Sequence, residues 1–225
     1  EKEYSKYINN EHELAIDERK VHMEENMIIT ISRQYGSGGS QVAKILAERM
    51  GVWCYDRDIL TIAAERIGNE ELTEDTINDL NYKRNDVASA GITGVMGMGN
   101  IPIYNQMFLE QAKIIRKLAN YGSAVFLGRC ADYILKDIKN CTSVYLYADR
   151  EFRKNRVKEI YGSNAEIMDK EEKNRADYYN YYTGNRWGDI NNYDFAINTS
   201  KVSFEEAADL IYRFAKDKQK NLKDR

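Results

Sequence analysis

The chain has 225 residues, 43% of them hydrophobic and 31% charged, and a net charge of −3, which suits one α/β domain with a sizeable core and falls short of two full domains. A pI near 5.6 provides no global basic field, so nucleic-acid binding through phosphate neutralisation is not expected and any anion site must be local. No window reaches the roughly 18 apolar residues of a membrane span, and the opening EKEYSKYINNEHELAIDERK is charged rather than basic and then apolar. A cytoplasmic protein with no membrane partner is the expectation.

Residues 1–26 carry many charges and no Gly or Pro, and are expected to form a polar arm or peripheral helix. This stretch holds both histidines, His12 and His22, so acid–base work elsewhere would fall to carboxylates. Met27–Ser32 (MIITIS) is an apolar, β-branched run suited to a buried parallel strand, and it leads into Arg33-Gln34-Tyr35-Gly36-Ser37-Gly38-Gly39-Ser40. From Gln41 to Met50 the apolar residues recur at helical spacing, with Gly51 as C-cap. Val52–Tyr55 predicts a second strand ending at Asp56, and Asp58–Ile67 a helix.

Between 70 and 102 the alternation breaks into a glycine-rich stretch that predicts a mobile insertion. A helix over Ile103–Tyr121, a buried strand over Ala124–Leu127 and a strand over Ser143–Tyr147 follow, then a helix with Arg150, Arg153 and Arg156 at threefold spacing along one face. Residues 163–192 are polar and rich in tyrosine, with almost no aliphatic stripe, which suits a lid. Phe195–Asn198 makes a last strand, Phe204–Phe214 an amphipathic helix, and 216–225 a charged tail. The cysteines, Cys54, Cys130 and Cys141, are too scattered for a zinc site and read as reduced core thiols.

A strand that opens through Gly-x-Gly-Gly into a helix aims backbone N–H groups and the positive end of the helix dipole at one point, where phosphate is the natural occupant. The full P-loop pattern, Gly-x-x-x-x-Gly-Lys-Ser/Thr, is met only in part, since Arg33 stands at its first glycine and Gly39 at its lysine. A dinucleotide fold competes, with Asp56 as the ribose-binding acid, but Gln41 stands where its third glycine belongs. A tight turn with no ligand is the third alternative. Phosphoryl transfer needs cations on donor, acceptor and the group in flight. The chain offers Arg129 at a strand end and Lys173, Arg175 and Arg186 among the lid tyrosines.

The segments ITISRQYGSGGS, YDRDIL, FLGRCADYIL, VYLYADREFRKNR and RADYYNYYTGNRWGD…NYDFAINTS together resemble the cytidylate kinase-like family over about residues 27–215. The resemblance implies a three-layer α/β/α P-loop NTPase fold on a five-stranded parallel sheet, with an acceptor-binding insertion at 70–102 and a lid at 163–192. It also implies ATP and Mg2+ as cofactors and a nucleoside monophosphate or another small phosphate acceptor as partner, leaving the oligomeric state open, a homo-oligomer included. Carried over by position, Gly36, Ser37, Gly38, Gly39, Ser40 and Gln41 would hold the ATP phosphates, with Ser37 or Ser40 helping to hold magnesium. Asp56, Arg57 and Arg129 would face the acceptor, and Arg175 and Asp177 match the lid pair. With no lysine in the loop, Arg33 or a lid lysine would have to supply the missing cation, or the chain would be an inactive nucleotide-binding regulator. Arg57 replaces a small hydroxyl residue that faces the base in the family, which bears on cytosine selectivity.

Overall fold

The computed structural model describes residues 26–56, 58–67, 103–162 and 164–223. The expected N-terminal arm up to residue 25, Arg57 and the insertion at 70–102 lie outside the described residues.

Strand β1 (Ile28–Arg33) is buried at every position, as the middle strand of a covered parallel sheet must be. The glycine loop follows, then α1 (Gly39–Met50), which ends on Gly51 at φ 64° in the left-handed conformation expected of a C-cap. Next come β2 (Trp53–Tyr55), α2 (Asp58–Ile67), α3 (Ile103–Tyr121), β3 (Ala124–Leu127), α4 (Ala131–Ile134) and β4 (Cys141–Tyr147). The chain continues through α5 (Arg150–Tyr161), α6 (Ala165–Thr183), β5 (Phe195–Asn198) and α7 (Phe204–Lys223). The strands form one five-stranded, all-parallel sheet in the order β2-β3-β1-β4-β5. The loop that leaves β1 therefore opens at the middle of the sheet's C-terminal edge, between its two neighbours, where open α/β sheets hold ligands.

Side-chain alternation along β1 decides what reaches that edge. Ile29 and Ile31 pack with Val42, Leu46 and Ala208 under α1 and α7. Ile28 joins Ile59, Ile115 and Ile134 under α2, α3 and α4 on the other face. By the same alternation the last residue, Arg33, points toward α1, and Ser32 toward α4. This is the three-layer P-loop NTPase fold, with a separate core cluster on each face of the sheet.

Two segments differ from expectation. Helix α7 runs to Lys223 instead of ending at Phe214, so most of the expected tail is helical. No Gly or Pro interrupts it, and Lys218 is anchored at 2.7 Å to both the Cys141 carbonyl and the Asp194 carboxylate. The lid segment is also less peripheral than its polar composition implies: α6 buries Met168, Asn174, Tyr179 and Thr183. Tyrosines supply its apolar face, with Tyr182 stacked on Phe108 at 4.0 Å and Tyr179 inside the core of the α3 side.

Candidate functional site

Gly36 and Gly38 both adopt φ 81°, a conformation open to glycine without strain, and the resulting bend aims the N-terminus of α1 back over the loop. Inside the loop the Ser37 amide donates to the Gln34 carbonyl at 3.3 Å, and Gly38 O accepts from Gln41 and Val42. The amides of Gly36, Gly38, Gly39 and Ser40 donate to no other backbone group among the described residues. These four residues line, with Gln41, Arg33, Arg156 and Arg175, a cavity of about 30 Å³. Unpaired amides at a helix N-terminus with arginines around one hollow are suited to an anion. The two hydroxyls expected near a metal part company here. Ser40 lines the cavity, whereas Ser37 is fully buried, donates its hydroxyl to Gln34 O at 2.8 Å and accepts Thr199 Oγ1 on its carbonyl at 2.6 Å. Ser37 holds the loop's shape and does not face the cavity.

Arg33 could serve the loop as a cation or pair with Asp56, and the geometry shows the pairing while its side chain runs beside the loop. Its Nη2 lies 3.6 Å from Asp56 Oδ1, an ion pair too long for a hydrogen bond. The side chain, only 9% exposed, crosses the loop along a corridor between two glycines. A Cβ on Gly39 would come within 2.6 Å of Arg33 Cγ and 2.7 Å of its Cβ, and a Cβ on Gly128 would collide with Nη1. The pattern's first glycine and its lysine are thus exchanged as a pair: a long cationic side chain leaves the strand end and passes over the position from which a lysine would otherwise rise.

Strand β3 ends in three successive left-handed residues, Gly128, Arg129 and Cys130, at φ 76°, 59° and 55°. A residue with a Cβ gives up about 1–2 kcal/mol in that region, and strain of this kind concentrates at functional sites. The turn lays Arg129, 4% exposed, against a second cavity of about 30 Å³ lined also by Ser32, Tyr178, Tyr179 and Trp187. Arg33 and Arg175 line this cavity as well as the first. Beneath it lies a carboxylate that the sequence does not single out. Asp132 is buried and accepts Tyr179 OH at 2.6 Å and Ser32 Oγ at 3.4 Å, while burial, only partly offset by those bonds, raises its pKa. Burial likewise pushes the Cys130 thiol well up, and all three cysteines are free, as expected of core thiols.

The three arginines of α5 do not share one solvated face. Arg150 is exposed and forks onto Asp169 of α6 at 2.8 and 2.6 Å. Arg153 is buried, with Nε on Ala148 O at 3.2 Å and Nη1 at 3.4 Å from both Tyr35 O and Glu172. The Arg156 guanidinium lies 4.7 Å over the Phe204 ring at the edge of the loop cavity. The lid pair also separates: Arg175 donates to Arg33 O at 3.0 Å, but Asp177 is held by Lys173 at 2.8 Å and lines neither cavity. Among the described residues Asp56 lines neither cavity and is paired with Arg33. Glu172 was hidden in the sequence because it sits in a charged helical run that looks solvated, and Arg153, visible there as one of three arginines on a face, is buried rather than solvated.

None of the curated proteins matches the chain. Among solved structures, an uncharacterized protein from Eubacterium ventriosum is 30% identical over 84% of this chain and 98% of its own, with a TM-score of 0.63. The Thermus thermophilus protein TT1252 shares the fold at 16% identity and a TM-score of 0.54, over 85% of this chain and 97% of its own. A shikimate kinase from Acinetobacter baumannii gives a TM-score of 0.49 at 15% identity, over 87% and 95% of the two chains. The model of the cytidylate kinase-like family matches residues 28–201, a span that holds the glycine loop, the strained turn at Arg129 and all of α6. That match spans well over half of the chain and is carried by the same three-layer fold, so the chain belongs to the cytidylate kinase-like family.

Proposed function

We propose that this chain is an ATP-dependent phosphotransferase that moves the γ-phosphoryl group to a nucleoside monophosphate of the CMP or dCMP type, or to another small acceptor. The observation that carries this is the sharing of Arg33 and Arg175 by two adjoining cavities, one built from helix N-terminal amides and the other around Arg129. A phosphoryl group in flight spreads charge over its oxygens between donor and acceptor, and groups that face both hollows are placed to neutralise it. The loop amides and Ser40 fit the donor phosphates with Mg2+, which when bound would neutralise phosphate charge. Arg129 fits an anionic acceptor, and Arg33 takes the part of the loop lysine. Asp177, tied to Lys173, is assigned no direct part.

Each cavity is far below the roughly 300 Å³ of a small-molecule pocket, so nucleotide binding requires α6 to lift and then settle again. In this scheme α6 is the core of the lid, and residues 70–102 supply the rest of the acceptor site. The three free thiols suit a reducing cytoplasm. A dinucleotide site loses support, because its ribose-binding acid would be Asp56, which is paired with Arg33.

A thermal-shift comparison tests the class of ligand. Mg-ATP at about a hundredfold excess over its dissociation constant should stabilise the protein by roughly 2.7 kcal/mol, while NAD at the same concentration should leave the melting temperature unchanged. A shift with NAD and none with Mg-ATP would reverse the assignment.

A further inference from the structure

The lid helix meets the start of the glycine loop around Tyr35. Its N–H donates to Glu172 Oε2 of α6 at 2.8 Å, and its carbonyl receives Arg153 of α5 at 3.4 Å. Its ring lies 5.0 Å beneath the Arg175 guanidinium and 5.7 Å from the Tyr161 ring. Glu172 and Arg175 are one helical turn apart, so a single turn of α6 reads the backbone N–H of residue 35 and the backbone carbonyl of residue 33.

A carboxylate in this place calls for a reason. It is largely buried beside an anion site, where a negative charge repels the ligand and where desolvation, the main influence on Glu172, raises its pKa. Arg153, at 3.4 Å, offsets part of that charge.

We infer that Glu172 is a positioning residue: with Arg153 it latches α6 to the loop through the Tyr35 peptide and so holds the loop in its anion-binding shape. With the Tyr35 amide on Glu172 and the Ser37 amide on Gln34 O, the amides of Gly36, Gly38, Gly39 and Ser40, residues that line the cavity, donate to no other backbone group among the described residues. Lifting α6 releases the Tyr35 peptide, and the loop loses that arrangement, which couples phosphate affinity to lid position. This inference rests on the anion-binding part of the proposed function, and its test separates the two.

The sign of one effect decides it. If Glu172 acted only as a charge, its removal would tighten binding of an anion beside it. As a latch, its removal weakens binding. Inorganic pyrophosphate is titrated calorimetrically into the full chain and its variants, and exchange of the Tyr35 amide hydrogen is followed without ligand. Glu172→Ala should weaken pyrophosphate about tenfold or more and speed Tyr35 exchange by a similar factor. Glu172→Gln, whose amide oxygen still accepts the Tyr35 N–H, should stay within about threefold of the parent on both measures. Should Glu172→Ala fail to fold, Glu172→Asp, one methylene short of the amide, serves in its place. Equal or tighter pyrophosphate binding in the Ala or Asp variant, or unchanged Tyr35 exchange, overturns the latch. If the parent itself does not bind pyrophosphate, the anion site is what fails; faster Tyr35 exchange in the variant then still supports the latch, and unchanged exchange refutes it.

Discussion

Arg33→Ala is expected to lower the rate of phosphoryl transfer by about two orders of magnitude or more, because a single positioned guanidinium in this chemistry is worth roughly a thousandfold or more. Arg33 is the cation that both cavities share with Arg175, and it rises from β1, a buried strand that cannot shift to compensate for its loss. Stability should change less. The partner left behind, Asp56, has a side chain 33% exposed and sits 3.6 Å away, so water can solvate it once the pair is gone. Arg33→Lys should fall between the parent and Arg33→Ala, since it keeps a charge but loses the planar fork that can meet phosphate oxygens in two contacts. Steady-state kinetics with separate kcat and KM give the answer. An unchanged kcat in Arg33→Ala would remove Arg33 from the chemistry and leave the loop without its substitute cation.

Gly39→Ala should approach the same loss without removing a charge. Its Cβ would lie 2.6 Å from Arg33 Cγ and 2.7 Å from Arg33 Cβ. The second contact is the harder one, because a Cβ is fixed to the backbone and cannot swing aside. Arg33 must leave its corridor, or α1 must move and carry the open amides with it. The double variant with Arg33→Ala should be only moderately less damaged than the product of the two single losses, since it removes the clash with Cγ but keeps the one with Cβ. Gly39→Lys, which would restore the usual loop letter, should inactivate the protein rather than improve it. Combining it with Arg33→Ala removes the clash with Cγ but not the one with Cβ, so the lysine cannot fully replace the arginine there either. A fully active Gly39→Ala would mean that Arg33 does not need this path.

The strand boundaries were legible because a buried parallel sheet demands short apolar, β-branched runs; Ala124–Leu127 and Phe195–Asn198 are examples. The glycine loop was legible for the same local reason, since Gly36 and Gly38 punctuate a strand-to-helix turn. What a chain-order pattern cannot show is proximity across the fold. The corridor of Arg33 depends on Gly39 and Gly128 lying on either side of one side chain, although they are far apart in sequence. Glu172 and Arg153 look like surface charges until α5 and α6 are laid side by side. The tyrosines of α6 misled in the other direction: a residue both apolar and polar leaves no clean stripe, yet Tyr179 is 3% exposed and carries the bond that ties α6 to Asp132. The Ser37 hydroxyl bonds the loop's own Gln34 carbonyl, a use that a hydroxyl in such a loop suits as well as a metal and that the sequence could not tell apart.

If the two cavities, with Arg33 and Arg175 between them, transfer a phosphoryl group, a coupled ADP-release assay with Mg-ATP across a panel of nucleoside monophosphates and small alcohols should show it. ADP release should depend on at least one acceptor and should fall by about a hundredfold or more in Arg129→Ala, which removes the acceptor's cation while leaving the donor loop in place. Mg-ATP binding with no ADP released to any acceptor would contradict the claim and mark the chain as a nucleotide-binding protein that has kept the fold without the reaction.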